Sequence, residues 1–335
     1  PFNPVKKEHP WIDEEHAVSI TWDNTFSYSD QIVQMIADFN ELEPNVTITN
    51  NKISGQYDAI EAKEITEMAT LEYASLVTCY PDHVANYLDY GAAVNFEDYI
   101  YGEYGFTEEE YNDIVVDYLD EGRSFYEKGL YVMPQSKSIE PMFYNNKILG
   151  KTIPGVNGDK PIDEKYINSL TWEELFDNFC PKFVEWNKTN KLIKLDESEW
   201  GDTKFGAVVG YDSDANLAIT LCEQYGLPYT SFNKATGYGS VDFNFEDNAP
   251  IFKTFKKAYD NGYLITKDSA PGQSNTNYAF TAEQMLFCIG STGGLKYQLD
   301  SNKQFKTMVG RLPQAKNGVA EAMISQGPGI CILSH

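Results

Sequence analysis

Basic side chains are scarce in this sequence: 26 Lys and Arg stand against 50 Asp and Glu, for a formal net charge of -24. Such a surface repels phosphate backbones and anionic lipid headgroups, which excludes nucleic acid as an expected partner. Solubility accounts for the acidity more simply than a dedicated acidic ligand site does. Histidine is scarcer still, with only His9, His16, His83 and His335, and no GxSxG elbow occurs, so a serine hydrolase is not expected. Neither CxxC nor HExxH spacing is present, so no metal centre is expected from motif. The cysteines (Cys79, Cys180, Cys222, Cys288 and Cys331) are odd in number and far apart, and three sit in apolar strand-like runs. Buried free thiols are the simplest reading, and they leave the redox compartment open. No GxxxxGK[ST] loop or strand-following GxGxxG cradles a phosphate, and Gly327-Pro328-Gly329 is too short to count; no cofactor is expected. No apolar run approaches the roughly 18 residues that span a bilayer. The chain opens at Pro1 without a Met, a basic n-region or an apolar h-region, as expected of a processed or trimmed product.

What is present fits two lobes. A chain of 335 residues is long for one hydrophobic core. Aromatic residues at 14%, tyrosine foremost, exceed what a plain core needs. After a polar lead-in with Pro1, Pro4 and Pro10, alternation predicts a strand over Ala17 to Trp22. Ile32, Val33, Ile36 and Phe39 recur at helical spacing from a Ser29-Asp30 cap to Glu41, and Pro44 ends the pattern. A strand over Val46 to Ile53, a helix over Tyr57 to Tyr73 and a strand over Ser75 to Cys79 complete a β-α-β-α-β opening, the signature of a mostly parallel sheet. A Thr107-Glu110 capping box starts a helix to Leu119, followed by strands over Leu130 to Met133 and Ile139 to Tyr144.

A Gly- and Pro-marked loop, Gly155 to Pro161, precedes a second box, Thr171 with Glu174, whose helix carries Trp172, Phe176 and Phe183 and opens a second lobe. There follow a strand Phe205 to Val209, a turn Gly210 to Asp214, helices Asn216 to Tyr225 and Ile251 to Tyr259, and a short helix feeding a strand over Ala279 to Ile289. Repeats and low-complexity tracts are absent.

Asp212, Asp214 and Asn216, with Ile219 in the eighth place and Glu223 in the twelfth, copy part of a calcium loop. Leu217 stands where that loop needs Gly, and Leu217 to Cys222 reads as helix, so a capped helix start is the simpler reading. Glycoside hydrolysis needs only two carboxylates, which fifty acids always supply, so it stays open. Sugar binding without catalysis needs aromatic faces and bidentate polar groups beyond the carboxyl ends of strands. Trp22-Asp23-Asn24-Thr25 and Tyr80-Pro81-Asp82-His83 supply that mixture there.

Three stretches, Tyr80 to Tyr87, Pro134-Gln135-Ser136-Lys137-Ser138 leading to Phe143-Tyr144-Asn145, and Ala279-Phe280-Thr281 with Phe287 to Ser291, give the chain a family likeness. From about Ala17 to Ile332 it resembles the extracellular solute-binding proteins of family 1, the maltose-binding-like carbohydrate receptors of ABC importers. The resemblance implies a two-lobed α/β fold of the type II periplasmic-binding-protein kind, with interleaved lobes, a central mixed sheet in each, and closure about strand crossovers near Gln135 to Tyr144. It maps 1-137 and 270-322 to lobe 1, and 138-269 and 323-335 to lobe 2, with Ile324 to Ile330 returning into lobe 2. Family members continue through further helices after that strand, so their absence from this chain points to a truncated form. The implied function is an extracytoplasmic, cell-surface or periplasmic receptor, not an enzyme. It would be monomeric, joined to the membrane only through an N-terminal lipid anchor, and would carry a sugar to permease subunits.

The implied ligand contacts each have a plainer alternative. Trp22 stacks on a sugar face or lids the core, and Asn24 and Thr25 flank it. Tyr80, Asp82 and His83 bind hydroxyls, or Asp82 caps a helix. Ser136, Ser138 and Glu140 lie at the supposed hinge, where backbone geometry competes with ligand contact, and Lys137 is equally a surface charge. Tyr211, Asp212 and Asp214 face the ligand if a strand ends at Val209, and Ser291, Thr292 and Gly293 offer amides or form a capping turn. The rivals are a glycoside-acting enzyme and a receptor for a non-sugar solute such as a peptide or metal ion.

Overall fold

A computed structural model describes residues 2, 17–26, 29–195, 199–200, 203–204, 206–233, 235–270, 272, 275–299 and 304–334. The lead-in prolines, the Ser29 side chain, Phe205 and His9, His16 and His335 lie outside that description. The chain divides into two units, Pro1–Lys137 with Gly327–His335, and Ser138–Gln326.

In the first unit, β1 (Val18–Asn24) and β2 (Val46–Lys52) run parallel, with Val18 opposite Val46 and Asn24 opposite Lys52. β3 (Leu76–Cys79) lies parallel on the other side of β1, with Trp22 opposite Leu76. α1 (Ser29–Leu42) buries Ile32 and half-buries Ile36 and Phe39, leaving Val33 exposed, so only part of the expected apolar set faces inward. α2 (Tyr57–Met68) buries Ile60, Glu64 and Met68, four residues apart on one stripe. α3 (Pro81–Asp89) begins with proline, whose missing N–H is harmless in a first turn. Instead of one helix to Leu119, two short ones form, Glu108–Asn112 behind an intact Thr107-Glu110 box and Val116–Glu121, because Val115 takes extended backbone between them.

The first sheet is completed by β4 (Met133–Pro134) and a return strand, Gly329–Ile332, that lies antiparallel between β3 and β4. Gly327 leads into it with φ +138, and a Cβ there would sit 2.1 Å from the Ser136 carbonyl oxygen, so no other residue passes this point unstrained. Ile60, Val77, Val84 and Tyr87 form the core with Cys79 and Cys331. All five cysteines are buried and free of disulfides.

In the second unit a central sheet has the order β8, β7, β9, β6, β10, formed by β6 (Met142–Asn145), β7 (Val209–Tyr211), β8 (Leu264–Thr266), β9 (Phe287–Ile289) and β10 (Thr307–Gly310). β7 is parallel to β8 and β9, and β6 is antiparallel to β9 and β10. Beside it, β5 (Ser138–Ile139) pairs antiparallel with β11 (Ser325–Gln326), and two further hairpins join Glu199–Trp200 to Thr203–Lys204 and Thr230–Asn233 to Tyr238–Val241. The principal helices are α4 (Cys180–Asn190), α5 (Asp214–Tyr225) and α6 (Phe245–Asp260). The Thr171-Glu174 box forms by half. Glu174 N donates to Thr171 Oγ1 at 3.1 Å, but its carboxylate accepts from Tyr166 and Asn178, and a π-helical stretch, Glu174–Phe179, runs into α4.

Much of the aromatic surplus is spent in this core. Trp172 stacks on Phe176 with centroids 5.9 Å apart and meets Phe255 edge-on at 5.2 Å, while Phe179 stacks on Phe183 and packs on Phe287. Two expected boundaries are therefore corrected. Residues 270–322 belong with 138–269, because Phe287, Cys288 and Ile289 are buried throughout and lie as a central strand between β7 and β6. Within 323–335, only β11 joins the second unit, and the return strand enters the first. The passage between units at Lys137 falls inside the predicted crossover.

Candidate functional site

In the second unit, β7 and β9 end at Tyr211 and Ile289, and ligands of open α/β sheets bind beyond such carboxyl ends. Glu140 stands just before β6 and therefore at the same edge. Its carboxylate, 2% exposed, accepts hydrogen bonds from the Tyr211 hydroxyl at 2.9 Å, Asn216 Nδ2 at 2.6 Å and Gln326 Nε2 at 3.3 Å. Burial pushes the Glu140 carboxyl above its ordinary range; the donors from Asn216 and Tyr211 pull against that and the Asp212 charge adds to it. Burial likewise raises the Tyr211 phenol, with the Glu140 charge reinforcing it. Asn216 also donates to Gln326 Oε1 at 3.1 Å, which closes a ring of acid, amides and phenol.

Asp212 follows Tyr211 and accepts from the Thr276 amide at 2.5 Å and its hydroxyl at 2.8 Å; burial raises its carboxyl too. A Cβ at Gly290 would lie 3.0 Å from Asp212 Oδ2, so any larger residue there would have to displace that carboxylate by a few tenths of an ångström. Ser291 Oγ donates to Ser138 Oγ at 2.9 Å and accepts from Gly293 N at 3.0 Å, and Thr292 Oγ1 accepts from Ile139 N at 3.2 Å. These residues make the capping turn and also tie β5 to the end of β9. Asp214 is drawn elsewhere: its carboxylate accepts from Asp268 N at 3.2 Å, and it lines a cavity of about 540 Å³ with Leu217, Phe252, Phe255 and Tyr259. The calcium-loop pattern resolves into an ordinary helix start, with Ser213 Oγ accepting from Asn216 N at 3.2 Å.

In the first unit the same kind of edge is formed by the ends of β1 and β3. Trp22 is 5% exposed in a cluster with Phe26 and Ile32, and its indole N–H donates to Thr78 Oγ1 at 3.0 Å. This corrects the stacking role, since a ring closed into the core offers no face to a ligand. Asn24 is corrected likewise: 2% exposed, it donates to Asn50 Oδ1 at 2.7 Å and accepts from Phe26 N, a turn-holding role. Thr25 is half-buried beside them. We expect Trp22→Phe to cost about 1–2 kcal/mol in urea unfolding through the lost hydrogen bond and volume, with ligand affinity unchanged; an affinity loss at unchanged stability would restore the stacking role.

Tyr80, half-buried, caps α3 by its backbone and sets its ring edge-on to Tyr57 at 4.8 Å. Asp82 is exposed in the first turn of α3 and is not the cap. His83 is turned inward, 5% exposed, with Nε2 at 3.4 Å from Asp58 Oδ1 and 3.7 Å from Glu61 Oε2. Ser136 is exposed, its N–H donating to the Pro328 carbonyl at 3.3 Å. Lys137 is no free surface charge: its side chain is 6% exposed, pairs with Glu121 and donates to the Gly327 carbonyl at 3.1 Å.

No protein-family model matches this chain, and neither does any curated protein sequence. Solved structures do. The GacH receptor of Streptomyces glaucescens, solved without ligand and with acarbose and an acarbose homolog, aligns at a TM-score of 0.62 and 15% identity over 95% of this chain and 72% of its own. UgpB from Mycobacterium tuberculosis, in complex with glycerophosphocholine, aligns at a TM-score of 0.66 and 15% identity over 95% of this chain and 70% of its own. The fold is the two-lobed, periplasmic-binding-protein-like α/β fold.

Within this binding-protein fold, the second unit brings Ser138, Glu140, Tyr211, Asp212, Ser291, Thr292 and Gly293 to one sheet edge. Sequence reasoning missed Asn216, Thr276 and Gln326. Asn216 stood inside the pattern read as a helix start, and the other two meet their partners from 64 and 186 positions away, which no local spacing records.

Proposed function

We propose that this chain is the solute-capturing receptor of an ABC importer, taking a sugar or oligosaccharide outside the cytoplasm and delivering it to membrane permease subunits. In this reading it works as a monomer held by an N-terminal lipid anchor, and it turns nothing over. The observation that carries the proposal is the ring at the β7 and β9 ends. Acid, amide and phenol groups collect there around Glu140 and Asp212, the chemistry that recognises a polyhydroxylated ring through paired donors and acceptors. The fold shared with a receptor solved with acarbose supports the sugar class. Two acids, Glu140 and Asp212, stand at that edge and oppose an anionic phosphodiester, which favours a neutral polyol.

Isothermal titration calorimetry of monosaccharides, maltooligosaccharides and glycerophosphodiesters tests this. Saturable heat with a saccharide is expected, and Asp212→Asn is expected to weaken it at least tenfold, the effect of a lost charge-assisted hydrogen bond at about 1.5–3 kcal/mol. Binding of a glycerophosphodiester alone, or release of product from a chromogenic glycoside, would overturn the sugar-receptor reading.

A further inference from the structure

One cluster in the first unit is left unused by the sugar-receptor reading. Asp58 and Glu61 stand one turn apart on α2, and His83 projects from the first turn of α3 toward both. Each can present one donor atom, and these atoms lie within 4.8 Å of one another. The cluster is more than a gathering of exposed acids. The His83 side chain is only 6% exposed, its Nδ1 has no hydrogen-bond partner, and its Nε2 is held toward the carboxylates at 3.4 and 3.7 Å, beyond good hydrogen-bond length. The imidazole is thus buried with one nitrogen unpartnered and the other aimed at two carboxylates that it meets only at ion-pair distance. Glu61 is further oriented by Asn86, whose amide donates to its other oxygen at 2.7 Å, a supporting contact of the kind that steadies metal-binding carboxylates.

We propose that Asp58, Glu61 and His83 form a divalent transition-metal site, with Zn²⁺ its best occupant. One imidazole nitrogen and two carboxylate oxygens suit Zn²⁺ or Mn²⁺, whereas Ca²⁺ takes six to eight oxygen donors. Asp58 is 89% exposed, so the remaining coordination positions lie on the solvent side and take water. The ion would bridge the first turns of α2 and α3, which the Tyr57–Tyr80 ring contact already brings together, and the two carboxylates offset the positive helix ends beneath it. The site shares no residue with the sheet edge proposed to take the sugar.

The test is titration of chelator-stripped protein with ZnCl₂, MnCl₂ and CaCl₂, followed by Co²⁺ substitution read in the visible absorption. We expect Zn²⁺ to bind with a stoichiometry of one at this site, Ca²⁺ to give no heat, and both Asp58→Asn and His83→Ala to weaken Zn²⁺ binding at least tenfold. Asp58→Asn changes an exposed side chain and leaves the fold intact, so it decides the matter even where His83→Ala unfolds. Absence of Zn²⁺ and Mn²⁺ binding overturns the proposal. So does binding that Asp58→Asn and Glu61→Gln leave untouched, because the ion would then sit on other histidines of the chain.

Discussion

Replacing Glu140 by alanine is expected to destabilise the second unit by about 3–5 kcal/mol and to abolish ligand binding. Three donors, from Tyr211, Asn216 and Gln326, converge on that one carboxylate at 2% exposure, and alanine removes the acceptor they share, leaving Asn216 only its bond to Gln326 Oε1. Tyr211→Phe removes one donor and leaves the acid paired, so it should cost far less. Unfolding in urea followed by tryptophan fluorescence in a Trp11→Phe, Trp22→Phe background, which leaves Trp172, Trp186 and Trp200, reports on this unit. Equal losses for Glu140→Ala and Tyr211→Phe would show that the ring carries no shared load. Because the Glu140 carboxyl is raised by burial, its contribution is largest while it is protonated and is lost as pH rises through its folded pKa.

The second large effect belongs to Glu64 in the first unit. It lies fully buried on the inward stripe of α2, accepts from Ala74 N at 2.9 Å, and shares Lys63 with Asp23 at 3.3 and 2.8 Å. Burial first, and then the hydrogen bond with Asp23, push its carboxyl up from 4.5 to about 7. The folded state thus holds this proton more tightly than the unfolded chain. The advantage is fully present below pH 4.5 and is lost as pH rises through about 7, a swing of about 3 kcal/mol. Glu64→Gln keeps an acceptor for Ala74 and removes the titration. It should therefore flatten the fall in stability between pH 5 and 8 and leave the variant more stable than the parent at pH 8. Parallel stability curves for the two proteins, measured by urea unfolding across that range, would exclude this role.

How far the sequence carried the reading varies from element to element. The β-α-β-α-β opening was legible because alternation and helical spacing are local, and Pro44 and Pro81 mark their boundaries without reference to the rest of the chain. Asp212 was legible as a candidate because a strand end can be placed from a strand pattern, whereas Glu140 was reached only through the hinge that the family resemblance implies. Trp22 was not, since a large aromatic at a strand end looks the same whether it faces solvent or, as here, Thr78 and Ile32. Glu64 gave no signal either: a glutamate on a helix normally faces water, and only the packing of α2 put it in line with Ile60 and Met68.

By itself the sequence determined the class of the protein: an acidic α/β chain with a parallel β-α-β-α-β opening, long enough for two lobes, and polar segments where parallel strands end. Those features follow from periodicity and charge, which every residue carries with it. The tertiary structure alone decided which segment joins which unit, that 270–322 complete the second sheet and the return strand the first. It also decided that Asn216 and Gln326 close on Glu140, and that His83 turns inward to Asp58 and Glu61. Strand pairing and side-chain convergence join residues far apart in the chain, and the free energy that selects them is that of burying whole faces together, which no local pattern contains.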